Sequence, residues 1–162
     1  MKNITAIVLI LTISLLFVSL NMCTNLAESK KTQVNEWYKI FGSTGKQEVL
    51  SLALTSDQGY ILAGWDSQDD TALIIKTDRH GNQEWDMKYG GGGNKAESYD
   101  VIESSDGGYI FTGYIKEGLF ILKTDNTGTI LWDKVHSTGD EKEWGKSIVE
   151  VDDGLAIMGK NG

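Results

Sequence analysis

Downstream of Glu36 the apolar residues of this chain come in short runs rich in Ile, Val, Leu, Tyr and Trp. Turn-forming residues bound the runs on both sides. No stretch beyond Glu28 sustains the 3.6-residue apolar period of an amphipathic helix. Runs of this kind between Gly, Asn, Asp and Ser clusters mark strands joined by tight turns. The runs also recur in order. WYKIFG, WDMKYG and WDKVHS open at Trp37, Trp85 and Trp132, and a glycine-rich or polar loop follows each. Then come VLSLAL, SYDVIE and KSIVEV, and after them DQGYILAG, DGGYIFTG and DDGLAIMG. ALIIKTD and LFILKTD lead back to the start of the series, and the third copy reaches Gly162 without that segment.

The tryptophans repeat at 48 and 47 residues, and each period holds four strands. In the second period they are expected over 98–103, 109–114, 119–124 and 130–135. Four antiparallel strands in such a period make one blade of a β-propeller. The predicted fold is therefore all-β, with propeller-type repeats over 37–162. It comprises two full blades, one closing strand from Trp37, and two strands of a further blade. Propellers close with roughly four to eight blades, so an incomplete ring is expected. Three accounts of it stay open: an incomplete copy of a longer protein, assembly with copies or a partner, or open sheets with exposed edges. Such edges near residues 156–159 offer a route to self-association.

The sentence KTDRHGNQEW, at 76–85, returns as KTDNTGTILW at 123–132. It reads as the hairpin turn between the third and fourth strands. Asp78 and Asp125 are placed to accept hydrogen bonds from turn amides. Gly81 and Gly128 supply the positive φ that the turn needs. The tryptophan four residues later opens the outer strand. One such ring per blade suits a wedge between neighbouring sheets, costing about 3–5 kcal/mol if cut to alanine.

The stretch DGGYIFTGYIKEGLFILKTDNTGTILWDKVHSTG resembles the propeller repeat of exported bacterial and archaeal surface proteins and lipoproteins. Their theme is a DGGY hairpin, a KTD strand end, an N-G turn, and a Trp followed by a Gly-rich loop. The D-x-x-G-x-x-x-W core is also similar to the tryptophan-docking motif of quinoprotein-like propellers. The resemblance spans Trp37 to Gly162 and implies architecture. It implies no ligand or reaction, because one fold carries many functions.

The N-terminus alters the picture of where the domain works. MKNITAIVLILTISLLFVSLNMC places Lys2 before an uncharged apolar run, and no further charge occurs before Glu28. This is the pattern of an export signal or N-terminal anchor over 1–22. LNMC resembles a lipobox, with Cys23 as the lipidated residue, although Met22 departs from the usual small residue. Lipidation at Cys23, cleavage elsewhere (for example after Ala27) and an uncleaved anchor stay open. Residues 23–36 read as a polar tether. The protein is thus expected outside the cytoplasm, held to the membrane through its N-terminus alone or secreted. A lone cysteine allows no intrachain disulfide.

Charge and chemistry narrow the function. With 15 basic and 23 acidic residues the net charge is −8, which argues against nucleic acid as a partner. His80 and His136 stand in turn or strand-end positions without ligands at zinc spacing. The acidic loops at 66–71 and 139–143 do not follow the EF-hand spacing. GGGG at 90–93 precedes a strand pattern rather than the helix of a phosphate loop. No catalytic, cofactor-binding or metal-binding residue is assigned, and no cofactor is expected. The expected role is non-catalytic: an interaction or scaffold module at the cell surface, binding a protein or glycan. The alternative is a fragment of a quinoprotein-like or carbohydrate-active propeller enzyme. A cluster of carboxylates and basic residues at the strand ends would favour that alternative.

Overall fold

The computed structural model describes residues 37–42, 45–116, 118–139 and 142–161. The expected signal or anchor, Cys23 and the tether lie outside the described residues. The chain divides between Trp37 and Tyr38, and the architecture below is that of the unit Tyr38–Gly162.

The apolar runs form strands and the Gly/Asp-rich segments turn the chain between them. β1 (Gln47–Leu54), β2 (Tyr60–Asp66), β3 (Thr71–Thr77) and β4 (Gln83–Gly90) make the first antiparallel meander. β5 (Ala96–Glu103), β6 (Tyr109–Ile115), β7 (Gly118–Thr124) and β8 (Ile130–His136) make the second. β9 (Glu143–Val151) and β10 (Gly154–Asn161) form a two-stranded hairpin. Among the described residues every strand pairing is antiparallel and no helix occurs. The strands expected in the second period fall within β5 to β8.

Residues 37–42 correct one expectation: they form no strand. No described strand pairs with them. Phe41 is used differently. It packs on Leu62, Leu73 and Ile75, the face of the first sheet turned away from the second.

The main core lies between the two meanders. Ile61, Ala63 and Ile74 of the first face Val101, Phe111 and Phe120 of the second. The third hairpin stacks on the second meander through β5, β6 and β7, which pack against β9. Ile148 is its buried apolar anchor. The first strand of each sheet, β1, β5 and β9, carries a bulge at the same place, with Leu50, Tyr99 and Lys146 as the extra residues. The glycines opposite explain the recurrent spacing in the sequence. A Cβ on Gly64, Gly113 or Gly159 would lie 1.9, 2.0 or 2.1 Å from a carbonyl oxygen of the bulged strand. Only glycine lets the strands approach this closely there.

Candidate interaction surface

The repeated sentence folds into two matching turns. Asp78 Oδ1 accepts from the His80 and Asn82 amides at 2.8 and 2.9 Å, and its Oδ2 accepts from the Asn82 side chain at 2.8 Å. Asp125 Oδ1 accepts from the Thr127 and Thr129 amides, both at 2.9 Å, and from the Thr127 hydroxyl at 2.7 Å. These donors hold both carboxyls below the usual range, the Asn82 amide leading for Asp78 and the Thr127 hydroxyl for Asp125. Gly81 and Gly128 adopt φ of 73° and 84°.

The second turn receives a tryptophan from the neighbouring sheet. The Trp85 indole N–H donates to the Asn126 carbonyl at 3.2 Å. Its ring lies so close over Gly128 that a Cβ there would stand 3.0 Å from two ring carbons. Tyr109 completes the seat, its ring centroid 5.8 Å from that of Trp85. Trp132 occupies the same slot in the second sheet but differs: it is 38% exposed, with Lys134 against its ring. The expected wedge is missing here because no third Asp-x-x-Gly turn stands among the described residues to receive it. Trp37 belongs to the first unit and is half exposed.

The lysine of each KTD ties its strand to the preceding hairpin turn within its own sheet. Lys76 Nζ donates to Asp57, to the Thr77 carbonyl and to Glu84 at 2.7, 2.9 and 2.9 Å. Lys123 Nζ donates to Asp106 and the Thr124 carbonyl at 2.8 and 3.0 Å. Polar brackets then join sheet to sheet. Ser56 donates its amide and hydroxyl to Glu103 at 2.7 and 2.8 Å. The Ser105 amide and Ser104 hydroxyl do the same to Glu150 at 2.6 and 2.9 Å. Asp100 serves both neighbours. It accepts from Ser51 of the first sheet, and from the Ser147 hydroxyl and Ile148 amide of the hairpin, at 2.9, 3.1 and 2.9 Å.

At the opposite strand ends lies a strip of lysines on aromatic rings. Lys46 and Lys95 each stand 5.2 Å from the Trp65 ring centroid. Lys146 covers Tyr99 at 3.1 Å, and Lys160 lies 4.7 Å from Trp144, which stacks on Tyr114. Glu97 links them by pairing with Lys95 at 2.7 Å and accepting the Tyr99 hydroxyl. Burial raises the Tyr99 phenol and lowers the Lys146 ammonium, with Lys160 adding repulsion to the latter. Sequence reading missed this strip, because its members lie far apart along the chain. The one available signal was aromatic or lysine directly after the second glycine of each hairpin: Trp65, Tyr114 and Lys160.

The remaining candidates have local roles. Gly91 and Asn94 exchange backbone hydrogen bonds at 2.9 and 3.0 Å, so GGGG builds a hairpin turn before β5. Asp66 and Asp69 hold Lys88, Asp66 at 2.9 Å. His80 and His136 are exposed. Among the described residues no group of His, Cys, Asp and Glu is placed to hold a metal ion.

No protein-family model matches the sequence, and no curated protein does. A crystal structure of a protein of unknown function from Bacteroides caccae is similar, with a TM-score of 0.54 at 18% identity. The match covers 75% of this chain and 41% of that one, so the chain spans under half of its length. At this identity the likeness concerns the fold alone: an all-β chain of antiparallel strands in sheets of four, four and two.

Proposed function

We propose that the chain is a propeller-type repeat module, exported and tethered at the cell envelope, that works as a non-catalytic interaction scaffold. The two meanders are read as full blades and the hairpin as part of another. One observation carries the reading. The residues with the greatest chemical potential in the repeat are consumed by architecture, twice over and in the same way. Lys76 and Lys123 bind the loop carboxylates Asp57 and Asp106, and Asp78 and Asp125 close the turns. A repeat built like this offers partners its loops and strand ends.

The Lys95–Glu97–Tyr99–Lys146 strip favours a second reading, a carbohydrate-active fragment, because acidic, basic and aromatic groups meet there. A photo-crosslinking amino acid at Lys160, used in intact bacterial cells, tests the two together. The scaffold reading expects an adduct with an envelope protein and a mature chain beginning at lipidated Cys23 by intact mass. Adducts confined to glycan would support the second reading. A soluble cytoplasmic chain beginning at Met1 would overturn both.

A further inference from the structure

We propose that the lysine–aromatic strip binds a carboxylated glycan, whose uronic acid groups lie along the ammonium groups of Lys146, Lys160 and Lys95. The proposal deepens the carbohydrate reading of this strip and rests on it. Charge balance points to an acidic ligand rather than a neutral one. Lys76, Lys88 and Lys123 are each matched by one or two carboxylates. Lys146 and Lys160 are not: among the described residues neither is ion-paired with a carboxylate. They are also neighbours. Lys146 is the bulge residue of β9, and Lys160 pairs across the hairpin with Trp144, two positions away.

Two ammonium groups that repel each other are stabilised by an anion set between them. Burial and the charge of Lys160 already hold Lys146 below the ordinary lysine range, which such an anion would reverse. The lysines are free to turn toward it. Each is held against a ring by a cation–π contact at an exposed site, which is weaker than a charge-assisted hydrogen bond to a carboxylate. As they turn, the faces of Tyr99 and Trp144 are uncovered. An aromatic face is apolar and suits the C–H face of a pyranose ring. Anion and sugar are thus received by neighbouring groups of the same strip.

The strip runs on from the hairpin over β5 to the first sheet, where Lys95 and Lys46 flank Trp65. These two are partly neutralised, Lys95 by Glu97 at 2.7 Å and Lys46 by Glu48 at 3.6 Å. A row of cations and rings crossing three sheets suits a linear polymer better than a single sugar. It also suits a polymer better than an anionic bilayer. The loop from β2 to β3 follows Trp65 directly and carries exposed Asp69 and Asp70. A flat anionic surface would meet those carboxylates, as a single chain lying in the strip need not.

The test titrates the full-length chain, in non-ionic detergent and at low salt, with oligogalacturonate. Calorimetry is expected to show saturable binding below millimolar ligand that weakens as salt rises. Lys146→Gln combined with Lys160→Gln should weaken it about tenfold. Lys134→Gln, which removes a cation from the Trp132 ring on β8, should change it less than about twofold. All three lysines are exposed, so the variants are expected to melt as the native chain does. The methyl-esterified oligomer keeps the sugar and loses the charge, and should bind about tenfold more weakly than the acid. Equal affinity for acid and ester would overturn the acidic ligand while the carbohydrate reading stands. No binding of either at millimolar concentration would overturn both. An unchanged affinity in the double variant would overturn the site. Polyphosphate, or vesicles containing phosphatidylglycerol, binding as tightly as oligogalacturonate would make phosphate the ligand and overturn the glycan.

Discussion

Lys76 is 1% exposed, yet it carries a charge into the body of the sheet. Burial opposes the ammonium, but the Asp57 and Glu84 carboxylates outweigh that and hold its pKa above the ordinary lysine range. The exchange is mutual: the hydrogen bond from Lys76 draws the Asp57 carboxyl from 3.8 down to about 2. A carboxyl depressed in the folded state contributes stability that is complete above its unfolded value, near 3.8, and lost as pH falls through about 2. Thermal melts are therefore expected to decline from about pH 4 toward pH 2, and Asp57→Asn should flatten that decline. Lys76→Met keeps most of the stem volume and leaves two carboxylates that are half exposed and can rehydrate. Its cost is expected at about 1–2 kcal/mol by urea denaturation, below the about 3–5 typical when a buried charge is left alone.

The strands themselves were legible in the sequence because turn chemistry punctuates them so heavily. β5 to β8 lie where alternating runs and Gly/Asp clusters place them. The segment 37–42 was not legible, since its composition suits a strand and only the absence of a described pairing partner decides otherwise. The same holds for the tryptophans. Trp85 and Trp132 are interchangeable in sequence, and the turn opposite each one makes the difference. Trp85→Ala is accordingly expected to cost about 2–4 kcal/mol, and Trp132→Ala less than about 1, in the same chemical unfolding assay. The role of Lys76 was equally hidden, because a lysine at a strand end reads as solvated until its partners are known. Asp100 is the clearest seam residue without a sequence signal. Asp100→Ala should speed amide exchange in β9 and β10 by at least about tenfold while leaving β2 and β3 unchanged, because Asp100 holds the Ser147 hydroxyl and the Ile148 amide.

Over the described molecule, protection should follow the distribution of buried apolar surface. The core shared by the two meanders is far larger than the single apolar anchor, Ile148, of the hairpin. Hydrogen exchange by mass spectrometry is expected to rank β9 and β10 as the first to open, with β3 and β7 the last. Uniform protection across all ten strands would contradict that order. The brackets between sheets have a further consequence. Ser56 reaches Glu103 across 47 positions, Ser51 reaches Asp100 across 49, and Ser147 reaches Asp100 across 47. Each separation is close to one period of the sequence. A tandem duplication of one period in the gene therefore copies both halves of every bracket, donor and acceptor, in a single event. The array can lengthen without any new contact having to arise by mutation, and later divergence is free to act on the loops.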